Sequence, residues 1–453
     1  MLIPFQDFVG RYPALGASKR IGVAVSGGGD SVALARLAHQ AQNFYGWSLT
    51  LLHMNYGLRG VESDADADYV IKLGRELGCA VLVERVEPDG HAEEELRRLR
   101  YDWFATCEVD VILTGHTLDD QAETVLFRLV RGTGPSGLVG VPPSTGGRIY
   151  RPLLALRRDE IRDWLRANGF PWREDSSNLD LTYRRNWLRH DLLPLLRREL
   201  NPEADRALAH LAEISFAEEQ WLDGLVAEKL AELARPEVNW MVLDCERFRL
   251  EPLALRRRLL RALLERVKGN LREIEFAHVE AALRLTEESE GNGRIQVPGI
   301  DLMRSFGSMR VIRLQTLSEL PARNFRVDFA VPGQVVVPEG AGIVVSTLDR
   351  GCNYNESDGS LDWDRLFAAI TANHRLELRN WRPGDSYLWN GSSGPEKIKE
   401  LFQKHRIPLW HRRAWPIIVI GDLLVWAADF GPAVEFAAGP ETRTALHIKW
   451  TPP

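Results

Sequence analysis

Ser26-Gly27-Gly28-Gly29-Asp30-Ser31 stands between the apolar run Ile21-Gly22-Val23-Ala24-Val25 and the run Val32-Ala33-Leu34-Ala35. A turn of small residues therefore joins a predicted strand to a predicted helix. With no bulky side chains in the way, the backbone can curl so that several N–H groups face one point, and the helix start adds its partial positive charge. A phosphate chain is the expected guest. No Lys precedes Ser31, so the loop lacks the lysine that holds a transferring γ-phosphate in a Walker A loop. Cleavage between the α- and β-phosphates is the expected chemistry instead. A plainer reading has Asp30 and Ser31 merely capping the helix.

Outward from this loop, β-rich and helical patterns alternate to about residue 200. They run through 21–25, 34–44, 49–53, 67–77, 80–86, 93–107, 111–114 and 119–130. Alternation of this kind predicts an α/β fold with a Rossmann-like parallel sheet covered on both faces by helices. Ligands of such sheets bind at the carboxyl ends of the strands. The loops after Val25, Leu52 and Leu113 are therefore expected to converge.

From 201 to about 290 the pattern turns helical, over 203–234 and 252–268, and the Gly- and Glu-rich stretch 287–294 breaks it. Two short β-like runs follow, at 295–297 and 309–314. A third region opens near Arg326 with strands at 334–337, 342–348, 375–380 and 417–427, interrupted by a helix over 396–405. The expected division is 1–200 as the phosphate-binding α/β domain, 201–320 as a mainly helical domain and 325–453 as a small α+β domain.

A chain of 453 residues is too long for one core. Its 45% apolar and 26% charged residues are those of a globular protein. The most apolar late stretch, 415–430, is split by Gly421-Asp422 and reads as a hairpin, not a membrane span. The N-terminus lacks a basic segment followed by an apolar run, so a secretory signal is not expected and the cytosol is. Cys79, Cys107, Cys245 and Cys352 show no CxxC spacing, which argues against a zinc site or a disulfide framework. The net charge of −6 gives no global attraction to nucleic acid. Any RNA contact must use local basic patches.

The segment Gly115-His116-Thr117-Leu118-Asp119-Asp120-Gln121-Ala122-Glu123-Thr124 begins where the 111–113 strand ends. If a helix starts near Leu118, Asp119, Asp120 and Glu123 share one face. Acids gathered beside a phosphate loop suit magnesium or a substrate ammonium group. The competing reading is a capping box between Thr117 and Asp120. Downstream, Trp172-Arg173-Glu174-Asp175-Ser176-Ser177-Asn178 leads into Tyr183-Arg184-Arg185-Asn186-Trp187-Leu188-Arg189-His190. Interleaved arginines and aromatics suit phosphate contact and base stacking, as they also suit a solvated helix face. Arg97 and Arg100 either line an exposed face or reach a triphosphate. Met54-Asn55-Tyr56, after the His53 that closes the second strand, either lines an adenine pocket or is an ordinary loop.

These strings occur together in a recognisable order. The loop wording resembles that of the PP-loop ATP pyrophosphatases. Together with HMNYGLRG at 53–60, LRRLRY at 96–101, GHTLDDQAETVLFRLVRGTG at 115–134, RPLL at 151–154 and EDSSNLDLTYRRNWLRHDLLP at 174–194, it resembles the tRNA(Ile)-lysidine synthase family. RNWRPGD at 379–385, KIKELF at 397–402 and IPLWHR at 407–412 are similar to that family's C-terminal domain. The sequence departs from the pattern at Leu96, where Ala is usual, at Tyr56, where His is frequent, and at Glu396, which thins a lysine-rich helix start.

The resemblance implies a ligase acting on isoleucine tRNA with a CAU anticodon. AMP would be placed on the wobble cytidine, and the ε-amine of L-lysine would displace it, forming lysidine. It implies ATP at Ser26, Gly27, Gly28, Gly29, Asp30, Ser31, His53 and Met54, with magnesium near Asp30 and Asp119. It implies catalytic roles for Asp30, Asp119, Asp120 and Glu123, and lysine or tRNA contacts at Arg97, Arg100, Arg185, Asn186 and Arg189. The alternatives are a PP-loop tRNA thiolase and a non-catalytic ATP- or RNA-binding regulator. The oligomeric state stays open, a homodimer being one option.

Overall fold

The computed structural model describes residues 1–88, 90, 93–174, 184–288, 291–319, 324–337, 342–350, 359–370, 375–389 and 392–452, the side chains of 93, 184 and 185 excepted. Two compact units divide the chain, Met1–Leu222 and Asp223–Pro453. Among the described residues, no helix is long and apolar enough to cross a membrane.

In the first unit, helices α1 (Leu2–Arg11) and α2 (Pro13–Ala17) precede β1 (Arg20–Ala24). Phe5, Val9 and Leu15 drive both helices into the main core. Then come α3 (Gly29–Tyr45), β2 (Ser48–Asn55), α4 (Val61–Leu77), β3 (Ala80–Arg85), α5 (Glu93–Thr106), β4 (Val111–Leu113) and α6 (Leu118–Val130). The alternation expected from the sequence is what forms. Short elements α7 (Pro135–Leu138), β5 (Ser144–Thr145) and β6 (Ile149–Tyr150) lead to α8 (Arg158–Ala167). Beyond it lie α9 (Arg184–Trp187), a π-helical turn at Leu188–Leu192, α10 (Leu193–Glu199) and α11 (Ala204–Leu233), whose last residues, from Asp223 on, belong to the second unit.

The sheet runs in the order β3-β2-β1-β4-β6-β5. Every neighbouring pair is parallel except β5 with β6. Ile21, Val23, Leu51 and Leu113 are fully buried, as continuous apolar strands covered on both faces must be. Sequence order runs one way from β1 through β2 to β3 and the other way through β4, so the topological switch lies between β1 and β4. Ligands of doubly wound sheets bind at such a crevice.

The second unit opens with a five-stranded antiparallel sheet of Ala234–Pro236, Met241–Asp244, Ser308–Arg313, Ile300–Ser305 and Asn292–Val297. Leu259, Leu260, Leu263 and Leu264, from the helix Leu253–Lys268, are buried in its core together with Leu283 from Phe276–Glu287. The region is rich in helix, as the sequence predicts, but the sequence predicts strand only at 295–297 and 309–314. Ile300–Ser305 escaped because Asp301, Arg304 and Ser305 are fully buried polar residues in its middle and at its end, so it has no apolar alternation. Further along, antiparallel sheets of five and four strands share one core. The hairpin expected at Gly421-Asp422 forms between Pro416–Ile420 and Leu423–Ala427.

Candidate active site

The phosphate loop carries the chain from β1 to α3. Gly27 sits at φ +98°, in the region where a side chain would be strained. Two serines close the turn upon itself. Ser31 Oγ donates to Gly28 O at 2.8 Å and accepts from the Ser26 N–H at 3.1 Å, and the two hydroxyls lie 3.2 Å apart. No side chain caps α3, whose N-cap is Gly28. The plainer reading, in which Asp30 and Ser31 only cap the helix, is therefore not what forms. The first-turn N–H groups of α3 are left to face an anion.

Across the switch point, the loop after β4 meets this one backbone to backbone. A Cβ on Gly115 would stand 3.2 Å from the Asp30 carbonyl and from Ser31 Cα. Gly115 is what lets the two loops touch. Three helix starts thus assemble here, those of α3, α6 and α8.

Their side chains interlock around Arg158, the first residue of α8. Its Nε donates to Asp30 Oδ2 at 3.1 Å and its Nη2 to Asp120 Oδ1 at 2.8 Å, while Nη1 lies 3.5 Å from Glu123 Oε1. The Arg158 N–H donates to Asp119 Oδ2 at 2.8 Å. Two further arginines brace these acids. Arg189 holds Glu123 bidentately at 2.6 and 3.1 Å, and Arg197 bridges Asp205 and Asp119 at 2.5 and 3.2 Å. Among the described side chains, five carboxylates here face three guanidiniums. Burial alone would lower the Arg158 guanidinium, but Asp120, Asp30, Glu123 and Asp119 outweigh it and raise it above its ordinary value. Asp30 is pushed up by burial and by Asp120, against the pull of Arg158.

Asp120 does two jobs at once. Its Oδ2 accepts from the Thr117 N–H and hydroxyl at 2.8 and 2.9 Å, completing the capping box on α6, while Oδ1 faces Arg158. The capping reading and the site reading of this acid are both realised.

Arg189 reaches Glu123 because the helix carrying it is interrupted. The Leu193 N–H bonds to Leu188 O, an i→i+5 link. Leu188 and Leu193 pack in one cluster with Ala122 and Leu126 of α6. Five residues apart, they would point about 140° from each other on an ordinary α-helix. The π turn reconciles them and sets Arg189 over Glu123.

The remaining candidates lie at varying distance. His53 is buried, and its Nδ1–H donates to Val25 O at 2.8 Å, so the ring ties the end of β2 to that of β1. Burial lowers its basicity, and the neutral ring fits that tie. Met54 follows, half-buried at the same strand end. Arg97 and Arg100 stack on Tyr101 at 5.2 and 5.9 Å, and the Tyr101 hydroxyl accepts from the fully buried Arg151 at 3.0 Å. Burial raises the Tyr101 phenol, but Arg151 and Arg97 outweigh that and lower it. Among the described residues, Arg97 and Arg100 make no bond to the acid–arginine cluster. Asn186 is half-buried on α9. The Arg185 side chain and residues 175–183 lie outside the described part.

Arg158, Arg197 and Asp205 were not anticipated. Arg158 had one usable signal: it is a cation placed on a helix start, where the dipole disfavours it, a few residues after RPLL. Such a cation implies carboxylates opposite.

Carboxylates are hard oxygen donors of the kind magnesium takes, usually one or two of them together with phosphate oxygens. Among the described residues, no three of them converge as a ready metal cage. Asp30, at the phosphate loop and partly exposed, fits the one-carboxylate mode.

Comparison with known proteins identifies the family. A family model described as a PP-loop domain matches residues 5–196, one described as TilS substrate binding domain matches 243–308, and one described as TilS substrate C-terminal domain matches 376–450. The tRNA(Ile)-lysidine synthase of Solibacter usitatus is 40% identical over 95% of this chain and 97% of its own length. That of Geobacter sulfurreducens is 34% identical over 95% and 93%. A solved U34-tRNA thiolase, NcsA from Methanococcus maripaludis, is 17% identical with a TM-score of 0.39, over 47% of this chain and 78% of that one.

Proposed function

The chain belongs to the tRNA(Ile)-lysidine synthase family, and from that premise we propose that it joins L-lysine to the wobble cytidine of the CAU anticodon of tRNA(Ile), consuming ATP. The observation that carries the site assignment is the meeting of an uncapped phosphate loop with an acid-rich cluster at one switch point. The cytosine carbonyl oxygen attacks the α-phosphorus, the bond to the bridging oxygen of the β-phosphate breaks, and that electron pair leaves with pyrophosphate. The lysine ε-amine then forms the new carbon–nitrogen bond and AMP leaves with the carbon–oxygen electrons.

Each role falls to a described residue. Residues 26–31 receive the triphosphate, with Met54 beside the adenine and His53 bracing the strand ends. Asp30, with Asp119 in reserve, would hold magnesium, which would supply neutralisation of the phosphate charge. Asp119, Asp120 and Glu123 receive the lysine ammonium, and one of them takes the proton the amine must lose before it attacks. Because Arg158 occupies these acids, the ammonium must displace it, and excess negative charge in the cluster favours the exchange. Arg189 and Asn186 position the lysine carboxylate or the flipped base, and Arg97 and Arg100 take RNA phosphate. We assign 1–200 to chemistry, and 201–320 and 325–453 to gripping the tRNA, in the cytosol.

The thiolase alternative needs reactive sulfur. Burial raises the Cys79, Cys107 and Cys245 thiols, Cys245 to about 12, the opposite of activation. The deciding assay incubates protein with ATP, magnesium, labelled lysine and unmodified CAU isoleucine tRNA. Alkali-stable label with AMP and pyrophosphate supports the ligase. AMP without lysine incorporation would reopen the thiolase, and no pyrophosphate at all would leave only the regulator.

A further inference from the structure

At the Gly27 end of the phosphate loop, two more arginines stand on one acid. Arg59, from the turn after β2, donates to Asp66 Oδ2 at 2.7 Å. Arg173, from the segment after α8, donates to Asp66 Oδ1 through Nε, and its backbone N–H donates to Gly27 O at 3.0 Å. The contact presses on the loop itself. A Cβ on Gly27 would lie 3.8 Å from Asp66 Oδ1 and 3.9 Å from Arg173 Cδ. Trp172 sits 3.5 Å from the equivalent point on Gly29. Asp66 is buried, while both arginines keep about a third of their side chains exposed. The Nη groups of Arg173 have no hydrogen-bond partner among the described residues.

The chemistry supplies the missing occupant. Cleavage between the α- and β-phosphates releases a polyanion, and this loop has no lysine to neutralise it. A guanidinium fork matches phosphate oxygens bidentately. We propose that Arg59 and Arg173 form the pyrophosphate side of the nucleotide site, held ready on Asp66 and turned onto the β- and γ-phosphates when ATP binds. The loop is then polar along its length, with cations at Gly27 for the leaving group and acids at Asp30 for the amine. The direction of the triphosphate follows from that polarity. This inference rests on the ATP reading above.

The test is equilibrium competition on the full chain. Labelled ATP bound to the protein is displaced by unlabelled pyrophosphate and, separately, by AMP. Arg173→Ala and Arg59→Ala keep the backbone bond to Gly27 and are each expected to weaken displacement by pyrophosphate about tenfold, roughly 1.4 kcal/mol, with AMP displacement unchanged within a factor of two. Arg173→Lys, which keeps the charge and loses the fork, is expected to fall between. Equal weakening of both competitors would mean the arginines only shape the loop and would overturn the proposal, as would unchanged pyrophosphate displacement. Failure of the unaltered chain to bind ATP would instead sink the ATP reading itself.

Discussion

Asp301 and Glu123 are both buried carboxylates held by arginines, one in each unit, yet their surroundings differ in kind. Asp301 is bonded by Arg294 at 2.6 Å, Gln296 at 3.3 Å and Arg310 at 3.3 Å, all on strands adjoining its own. Arg310 in turn lies under Trp240 at 5.5 Å and Trp410 at 6.0 Å. Neighbouring strands fix every partner, and the cations outnumber the acid. Around Glu123 the partners come from a helix start and a π turn far apart in sequence, and in the wider cluster the acids outnumber the cations. A buried ion pair by itself says little about stability or function. Where its partners come from, and which sign is in excess, says more.

The largest expected effect separates the two clusters outright. Asp30→Ala should cut pyrophosphate release by about three orders of magnitude, the scale of losing a preorganised electrostatic group, with tRNA affinity nearly unchanged. Asp301→Asn should do the reverse, removing about 3–5 kcal/mol of stability in a denaturant titration while the folded fraction works at the normal rate. Equal loss of tRNA binding in Asp30→Ala would show that the loop was misassigned to ATP. A rate defect in folded Asp301→Asn would erase the contrast.

Arg158→Ala sharpens the comparison at somewhat smaller size. It strips the central cation from the acid-rich cluster and should lower the unfolding free energy by about 2 kcal/mol, less than for a fully dry pair. Millimolar magnesium or lysine should restore part of that, because the vacated acids accept another cation. A loss that neither cation offsets would mean the cluster is as purely structural as the one around Asp301. Smaller still, Thr117→Val should cost about 1 kcal/mol by removing the hydroxyl of the capping box, with the lysine KM shifting only as Asp120 loosens.

The smallest effect is a slope. Asp30 has a raised folded-state pKa, so it binds its proton more readily folded than unfolded, and stability of the ligand-free protein should fall as pH rises through that value. Asp110 has the opposite sign. The backbone N–H groups of Arg20 and Lys19 and the Arg20 side chain hold it down to about 2, so its contribution is present above the ordinary carboxylate range and is lost as pH falls toward that value. Asp30→Asn should flatten the first slope in a thermal scan from about pH 4 to 7 and leave the second intact.

What the sequence disclosed followed distance along the chain. Asp119, Asp120 and Glu123 were legible because helical spacing places them together within a single turn and a half. The serines of the phosphate loop were legible because they bound one short turn of small residues between an apolar strand and a helix. Arg158, Arg197 and Asp205 were not, since Arg158 meets Asp119 and Asp120, and Arg197 links Asp205 to Asp119, only once the chain has folded segments far apart in sequence onto one switch point. The strand Ile300–Ser305 was hidden by its own buried ionic group. The bidentate Arg189–Glu123 pair depends on a π turn, for which side-chain periodicity carries no signal.

That turn makes chain length a determinant of the active site. Removing one residue between Leu188 and Leu193 would restore an ordinary α-helix and rotate one flank against the other by about 100°. Either Leu188 and Leu193 would keep their places and Arg189 would swing off Glu123, or Arg189 would stay and the leucines would leave their cluster. A single deletion there is thus equivalent to an active-site substitution although every site residue is retained. The exposed turn at Gly146-Gly147 should absorb the same deletion, so tolerance to insertion and deletion would trace the site without any change of side chain.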